Sequence, residues 1–126
     1  MKQLTLNLGT VAILAMAFLQ PGVKFSQQQN NTPLAYVGEI MDDTCSGKGA
    51  HHQMMAKDGT KSAKDCALLC VKNGDKLVLY SKDEKAAYNL DDQNKETEYA
   101  GEKVSIVGTY DGPTKTIHIQ SITVVP

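Results

Sequence analysis

The apolar positions beyond residue 33 fall into five short runs that predict β-strands. These runs cover residues 34–41, 76–80, 86–90, 103–110 and 116–125. In the fourth run Val104, Ile106 and Tyr110 alternate with other residues, which is typical of a strand with one buried face. In the last run the apolar phase slips by one residue between Ile119 and Ile122. Such a slip predicts a β-bulge where the strand curls.

One helix is predicted between the first two strands, and the sequence marks both of its ends. Ser62 stands at the N-cap position of a capping-box arrangement, and Asn73-Gly74 supplies a left-handed stop. On a helical wheel Cys66 and Cys70 lie near the middle of the apolar stripe, so both thiols are expected to point toward the core. The segment ahead of this helix is rich in Gly, Lys, Asp and His and indicates an excursion from the core.

The order of these elements predicts the fold class. It runs strand, excursion with helix, strand, strand, a helical turn within residues 91–99, strand, strand. Five strands with a helical element before the last two match a small OB-like five-stranded barrel, mainly β with one short helix. The alternative is another small β-sandwich or a β-roll with the helix packed on one side.

The N-terminal residues predict export. A positive start at Lys2 precedes an apolar run that ends near Leu19, which is the pattern of a secretory signal. We take residues 1–26 as the signal peptide, residues 27–33 as a flexible leader and residues 34–126 as the domain. The apolar run is too short and too interrupted to span a bilayer. We therefore expect a periplasmic or secreted protein with no stable membrane span after signal removal.

The net charge of the domain argues against one class of partner, nucleic acids. The chain has 126 residues, and removal of Lys2 and Lys24 with the signal leaves 11 lysines against 14 acidic residues, a net charge of −3. The sequence contains no arginine. A mildly acidic domain without arginine lacks the electrostatic footprint for phosphate backbones, so nucleic acid is not an expected partner. The sequence identifies no protein partner and no small ligand.

The residues with reactive chemistry lie between positions 42 and 70. Three thiols and an imidazole can complete a tetrahedral zinc site, because zinc accepts sulfur and nitrogen ligands. The helix would supply two sulfurs, and the excursion would supply one sulfur and one of two adjacent histidines. The candidate metal ligands are Cys45, His51, His52, Cys66 and Cys70. Zinc is the cofactor that this set indicates.

Two other interpretations of these residues stay open. In an oxidising compartment Cys45 could form a disulfide with Cys66 or Cys70, which would leave one thiol over. A bridge between Cys66 and Cys70 across one helical turn would be strained. Alternatively, Cys45 could act as a nucleophile activated by a nearby histidine. No complete catalytic motif is present, so no catalytic residue is assigned.

The chain also resembles an uncharacterised family of short exported bacterial proteins. The resemblance rests on Gly-x-Ile-x-Asp-x-x-Cys at residues 38–45, a following His, and Cys-x-x-x-Cys-Val-Lys-x-Gly at residues 66–74. It continues into an OB-like closing hairpin near residues 104–109. The resemblance implies no activity, but it groups Asp42 with the three cysteines and the His51-His52 pair as one unit.

These observations together predict an exported, small, non-enzymatic module. The Cys/His cluster would either stabilise the domain, as a disulfide plus a thiol, or bind a zinc-type ion. The first alternative is a periplasmic metal-binding protein, and the second is a thiol-dependent enzyme that uses Cys45.

Overall fold

The computed structural model describes residues 30–126. The predicted signal peptide and the first part of the predicted leader lie outside the described residues. The described elements are β1 (Asn30–Asp42), α1 (Asp43–Ser46), α2 (His52–Asp58), α3 (Ala63–Lys72), β2 (Leu77–Ser81), β3 (Ala86–Leu90), α4 (Gln93–Thr97), β4 (Lys103–Asp111) and β5 (Thr116–Val124). Each of the five apolar runs forms a strand. The first strand begins at Asn30, ahead of the predicted start of the domain.

The five strands close into a barrel. Their order around the barrel is β1-β2-β3-β5-β4, and β4 pairs in turn with β1. Neighbouring strands are antiparallel except for β3 and β5, which run parallel. This order, with a helix before the last two strands, confirms the predicted OB-like barrel. A closed barrel leaves no free sheet edge, so the alternatives of an open β-sandwich and a β-roll are excluded.

The first strand is long enough to pair with two partners, and this double pairing closes the barrel. Its first part pairs with β4 as far as Glu39, and its last part pairs with β2 from Glu39 to Asp42. Near the change of partner, a Cβ atom at Gly38 would lie 2.5 Å from the carbonyl oxygen of Tyr80. Only glycine allows the two backbones to come this close. Asp42 stands where the chain leaves the barrel.

The predicted bulge in the last strand is confirmed. Val107 pairs with Ser121, whereas the next residue, Gly108, pairs with Ile119. Gln120 is therefore the extra residue on β5, at the point where the apolar phase of the sequence slips. A bulge of this kind increases strand twist and helps a small sheet to close.

The buried apolar residues form two clusters. The larger fills the barrel, and α3 contributes Ala67, Leu68 and Val71 to it. Its fully buried members include Ile40, Ala67, Leu79, Ala100 and Ile106. The smaller consists of Met41, Cys45 and Cys66, with Met54, Met55 and Tyr80 packed against it. Side chains alternate along a strand, so Ile40 faces the first cluster while Met41 faces the second. The excursion between β1 and β2 covers this second cluster.

The excursion contains more helix than the sequence analysis predicted. Besides the expected α3, it includes α1 and α2, which are only four and seven residues long. Helices this short have no complete apolar stripe, so periodicity does not reveal them. None of the described helices is both long enough and apolar enough to cross a membrane.

Candidate metal centre

Asp42 is the first residue of the candidate site along the chain, and it belongs to the junction of two elements. It is the last residue of β1 and the N-cap of α1, and its Oδ1 accepts a hydrogen bond of 2.8 Å from the backbone N–H of Cys45. An aspartate at this position is a preferred helix cap. The cap turns the chain so that the side chains of Asp42 and Cys45 are both completely buried.

His51 enters the same space from the start of α2. It occupies the N-cap position without capping the helix through its side chain, and only 6% of it is exposed. Its Nδ1 lies 3.8 Å from Oδ2 of Asp42, and its Nε2 lies 3.0 Å from Oε1 of Glu39. The ring is therefore placed between two carboxylates. The adjacent histidine, His52, is exposed.

The fourth member of the group comes from α3. The Ser62 hydroxyl caps this helix by accepting a hydrogen bond of 3.0 Å from the N–H of Asp65, as predicted. One turn later the Cys66 side chain is completely buried, and its Sγ lies 3.9 Å from Sγ of Cys45. The two sulfurs are in contact but are not bonded, because a disulfide bond is about 2.05 Å long.

These residues form a compact set of donors. One ligand atom each from Asp42, Cys45, His51 and Cys66 lies within 4.8 Å of all the others, and all four residues are buried. In a tetrahedral zinc site with bonds of about 2.0–2.3 Å, the ligand atoms stand about 3.3–3.8 Å apart. The sulfur pair at 3.9 Å and the nitrogen–oxygen pair at 3.8 Å come close to this spacing. One oxygen, one nitrogen and two sulfurs all belong to the ligand set of zinc.

Several polar atoms in this set have no hydrogen-bond partner. They are Oδ2 of Asp42 and both ring nitrogens of His51. The contact of Nε2 with Glu39 meets an ion-pair distance, but its direction does not make a hydrogen bond. An unsatisfied buried polar group costs about 1–3 kcal/mol, and more when it is charged. A cation among these atoms would offset that cost.

Two of the thiols, those of Cys45 and Cys70, are held in their neutral form in the absence of a cation. Burial raises the pKa of Cys45 well above its ordinary value, and the neighbouring Asp42 carboxylate and Cys66 raise it further. Burial, together with the charge of Asp42, also raises the pKa of Cys70 to about 12. A nucleophilic cysteine needs the opposite shift, because the thiolate is the reactive form.

The structure separates the sequence-predicted ligands into groups. Cys45, His51 and Cys66 lie together, whereas His52 points to solvent. Cys70 is buried but belongs to a different group of possible ligands, formed with Asp42 and Asp75. For the proposed disulfides, Cys66 is the cysteine that the structure places in contact with Cys45.

The ligand set predicted from the sequence omits three carboxylates that the structure places in or beside the site, Glu39, Asp42 and Asp75. Asp42 lies in the reactive segment and the family resemblance groups it with the cysteines, and its place three residues before Cys45 is also a capping signal. Glu39 and Asp75 carried no signal at all. Their roles depend on strand pairing and on the path of the chain after α3, which single-sequence patterns do not report.

A cavity of about 410 Å³ borders this set. Its lining includes His51 and Glu39 together with Tyr80, Lys82 and Lys103. His51 is the member of the four-residue set that lines this cavity.

Comparison of the chain with protein-family models, with curated protein sequences and with solved structures finds no significant match.

Proposed function

We propose that this domain is an exported, non-enzymatic module that binds a zinc-type divalent ion through Asp42, Cys45, His51 and Cys66. The observation that carries the proposal is the mutual approach of their four donor atoms, within 4.8 Å of one another, in buried surroundings. We name these four residues the primary site.

The chemistry of the donors favours zinc over the hard cations. Two sulfurs and an imidazole suit zinc, whereas calcium and magnesium are bound almost entirely by oxygen. The four ligands come from four elements: Asp42 ends β1, Cys45 lies in α1, His51 stands at the start of α2 and Cys66 lies in α3. An ion would therefore tie the excursion to the barrel wall. In small domains such an ion contributes directly to folding stability.

Export rests on the N-terminal pattern. A positive residue followed by a short apolar run supports secretion of the domain. In an oxidising compartment, an ion held by Cys45 and Cys66 would keep these neighbouring sulfurs from pairing.

The test compares two adjacent histidines. The full-length chain is expressed, and the purified protein is stripped with a chelator and titrated with Zn²⁺ in competition with a chromogenic chelator. His51→Ala should remove one bound ion per chain, or weaken its binding by about 100-fold or more, since the loss of an outer-shell partner alone typically costs 10–100-fold. His52→Ala is the matched control and should bind as the unaltered protein does. Equal binding by both variants would contradict the proposal.

A second candidate is a structural module closed by a disulfide between Cys45 and Cys66. The 3.9 Å contact between their sulfurs favours this pair over the pairing of Cys45 with Cys70. Counting thiols in the denatured, chelator-treated protein separates the candidates. The metal-binding module should show three reactive thiols per chain, whereas the disulfide module should show one thiol and bind no zinc.

A further inference from the structure

The end of α3 folds back on itself and brings a carboxylate beside a buried thiol. Asn73 caps the helix, and Gly74 follows with φ +108°. The N–H of Gly74 donates to the carbonyl of Val71, and the N–H of Asp75 donates to the carbonyl of Cys70. This pair of bonds is the Schellman arrangement that ends many helices. It returns Asp75 to the last turn of α3, next to Cys70.

Pairing between the first two strands brings Asp42 to the same place. The backbone N–H of Asp43 donates to the carbonyl of Lys76 at 3.0 Å, and Asp42 pairs with Leu77 at the start of β2. The chain therefore passes Asp42 directly after it leaves Asp75. Ligand atoms of Asp42, Cys70 and Asp75 all lie within 4.8 Å of one another.

The burial of Asp42 beside Cys70 and Asp75 indicates that a positive charge is needed to offset the buried negative charge. Asp42 is completely buried, and its Oδ2 has no hydrogen-bond partner. Cys70 is 6% exposed, while Asp75 is half-buried and reaches the surface. Among the described residues, no lysine makes an ion pair with either carboxylate. A buried carboxylate without a cation or a full set of hydrogen bonds is costly.

Charge also favours more than one ion. The primary site and this second group together contain two carboxylates and three thiols, which carry five negative charges when all are ionised. With one divalent ion at the primary site and Cys70 as a neutral thiol, the net charge is −2, whereas two ions with all three thiols ionised leave −1. A carboxylate has two oxygens with about four lone pairs, so Asp42 can serve both ions. Proteins commonly place two such ions about 3.5–4 Å apart.

We propose that a second divalent ion of zinc type binds Asp42, Cys70 and Asp75, with Asp42 bridging it to the ion of the primary site. This proposal rests on the proposed function only through the shared Asp42. Three protein ligands leave one position of a tetrahedral ion open, and water would fill it because Asp75 lies at the surface. Cys70, which the primary site does not use, thus becomes a ligand.

The experiment counts ions in the purified full-length protein. Zn²⁺ is titrated into the stripped protein against a chromogenic chelator, and folding of each variant is checked by circular dichroism. We expect two ions per chain in the unaltered protein and one in Asp75→Asn. The matched control is Asp83→Asn, which neutralises an exposed aspartate of the β2–β3 turn and should retain two ions. His51→Ala should retain the second ion while it loses the first.

A cobalt titration tests the ligand directly. Co²⁺ bound to thiolates gives a charge-transfer absorption that grows with the number of Co–S bonds. Two ions at these sites would make three such bonds, so Cys70→Ser should lower the absorption at saturation by about one third. The number of bound ions and the absorption spectrum of Cys70→Ser are measured on the same sample. Loss of one ligand lowers the absorption by about one third, whereas loss of folding removes both ions and all of the absorption.

The outcomes separate this proposal from the proposed function. One ion in both the unaltered protein and Asp75→Asn would overturn the second site and leave the primary site intact. A single ion whose affinity falls in Asp75→Asn would place Asp75 around the primary ion, which also overturns the second site. A full count in His51→Ala with one ion lost in Asp75→Asn would overturn the primary site alone.

Discussion

The imidazole of His51 is held between two carboxylates that have different tasks. On the Nδ1 side lies Asp42, a proposed ligand of the ion, and on the Nε2 side lies Glu39, at 3.0 Å. Metal-binding histidines commonly donate their other ring N–H to a carboxylate, which sets the tautomer and the ring orientation. The 3.0 Å contact does not make a hydrogen bond in its present direction, but Glu39 is within reach to accept one from Nε2–H, which would leave Nδ1 free to bind the ion.

Replacing Glu39 tests this positioning role. Glu39→Gln should weaken zinc binding by about 10–100-fold, because the amide orients the imidazole less strongly than the carboxylate does. The number of ions at saturation should not change, since Glu39 is not itself a ligand. Competition titration measures both quantities, and Glu102→Gln, at an exposed glutamate, serves as the control. An unchanged dissociation constant would show that Glu39 does not position the ring.

At the scale of elements, the close approach of β1 to β2 sets the position of the candidate site. Gly38 lets the backbone of β1 pass against the carbonyl of Tyr80, four residues before Asp42. Any displacement of β1 at this point would be carried along the strand to the α1 cap. Both the barrel and the geometry of the candidate site therefore depend on a glycine at position 38, although Gly38 has no reactive side chain.

Gly38→Ala should destabilise the domain by about 1–3 kcal/mol, because the added methyl group would lie 2.5 Å from a backbone oxygen that cannot turn away. Urea unfolding measures the change. Gly112→Ala is the matched control, since a Cβ there would meet only a Tyr110 ring carbon at 4.0 Å. Equal stability of the two variants would mean that β1 and β2 separate at little cost.

At the scale of the whole molecule, ion binding and folding are expected to be linked. The ligands are contributed by separate elements spread over residues 42–66, so the unfolded chain does not hold them together. An ion that binds the folded state alone stabilises it by about 2.7 kcal/mol at a free concentration one hundred times its dissociation constant.

Zinc at that concentration should therefore raise the urea midpoint relative to the protein in chelator. Mg²⁺ at the same concentration should not, because it binds thiolates and imidazole poorly. An identical midpoint in zinc and in chelator would contradict binding to the folded state. The measurement needs no variant, so it is independent of the folding of mutants.

A second global property comes from α4, which contacts β2. Glu96 is completely buried there, and burial above all raises its pKa to about 7, although a hydrogen bond from the N–H of Asp92 acts in the opposite direction. The folded state therefore holds a proton that the unfolded chain releases near its ordinary pKa of 4.5. Below pH 4.5 this group favours neither state, and as pH rises toward 7 the folded state loses relative stability.

Metal-free protein should accordingly lose roughly 1–3 kcal/mol of stability from this group between pH 4.5 and pH 7.5. Urea unfolding across this range measures the slope. Glu96→Gln should remove this contribution to the slope, whatever its effect on stability at a single pH, whereas Glu98→Gln at an exposed position should keep it. Parallel pH profiles for the unaltered protein and Glu96→Gln would show that Glu96 is ionised when folded.

Local patterns by themselves determined the five strands and α3, but not the short helices α1 and α2. Alternation of apolar residues defines the strands, the phase slip after Ile119 marks the bulge, and Ser62 and Asn73 mark the ends of α3. These features depend on neighbours within a few residues, so they can be read from the sequence. The number and order of the strands then restrict the architecture to a small barrel.

Only the tertiary structure decided which donors meet. The sequence predicted Cys70 and either histidine beside Cys45. The structure places His51 and Cys66 there, while pairing of β1 with β2 brings Asp42 next to Cys70 and Asp75, which form another group with it. The four-residue spacing of Cys66 and Cys70 places both side chains on the same face of α3. It does not set what that face packs against, because the packing depends on strands far away in the chain.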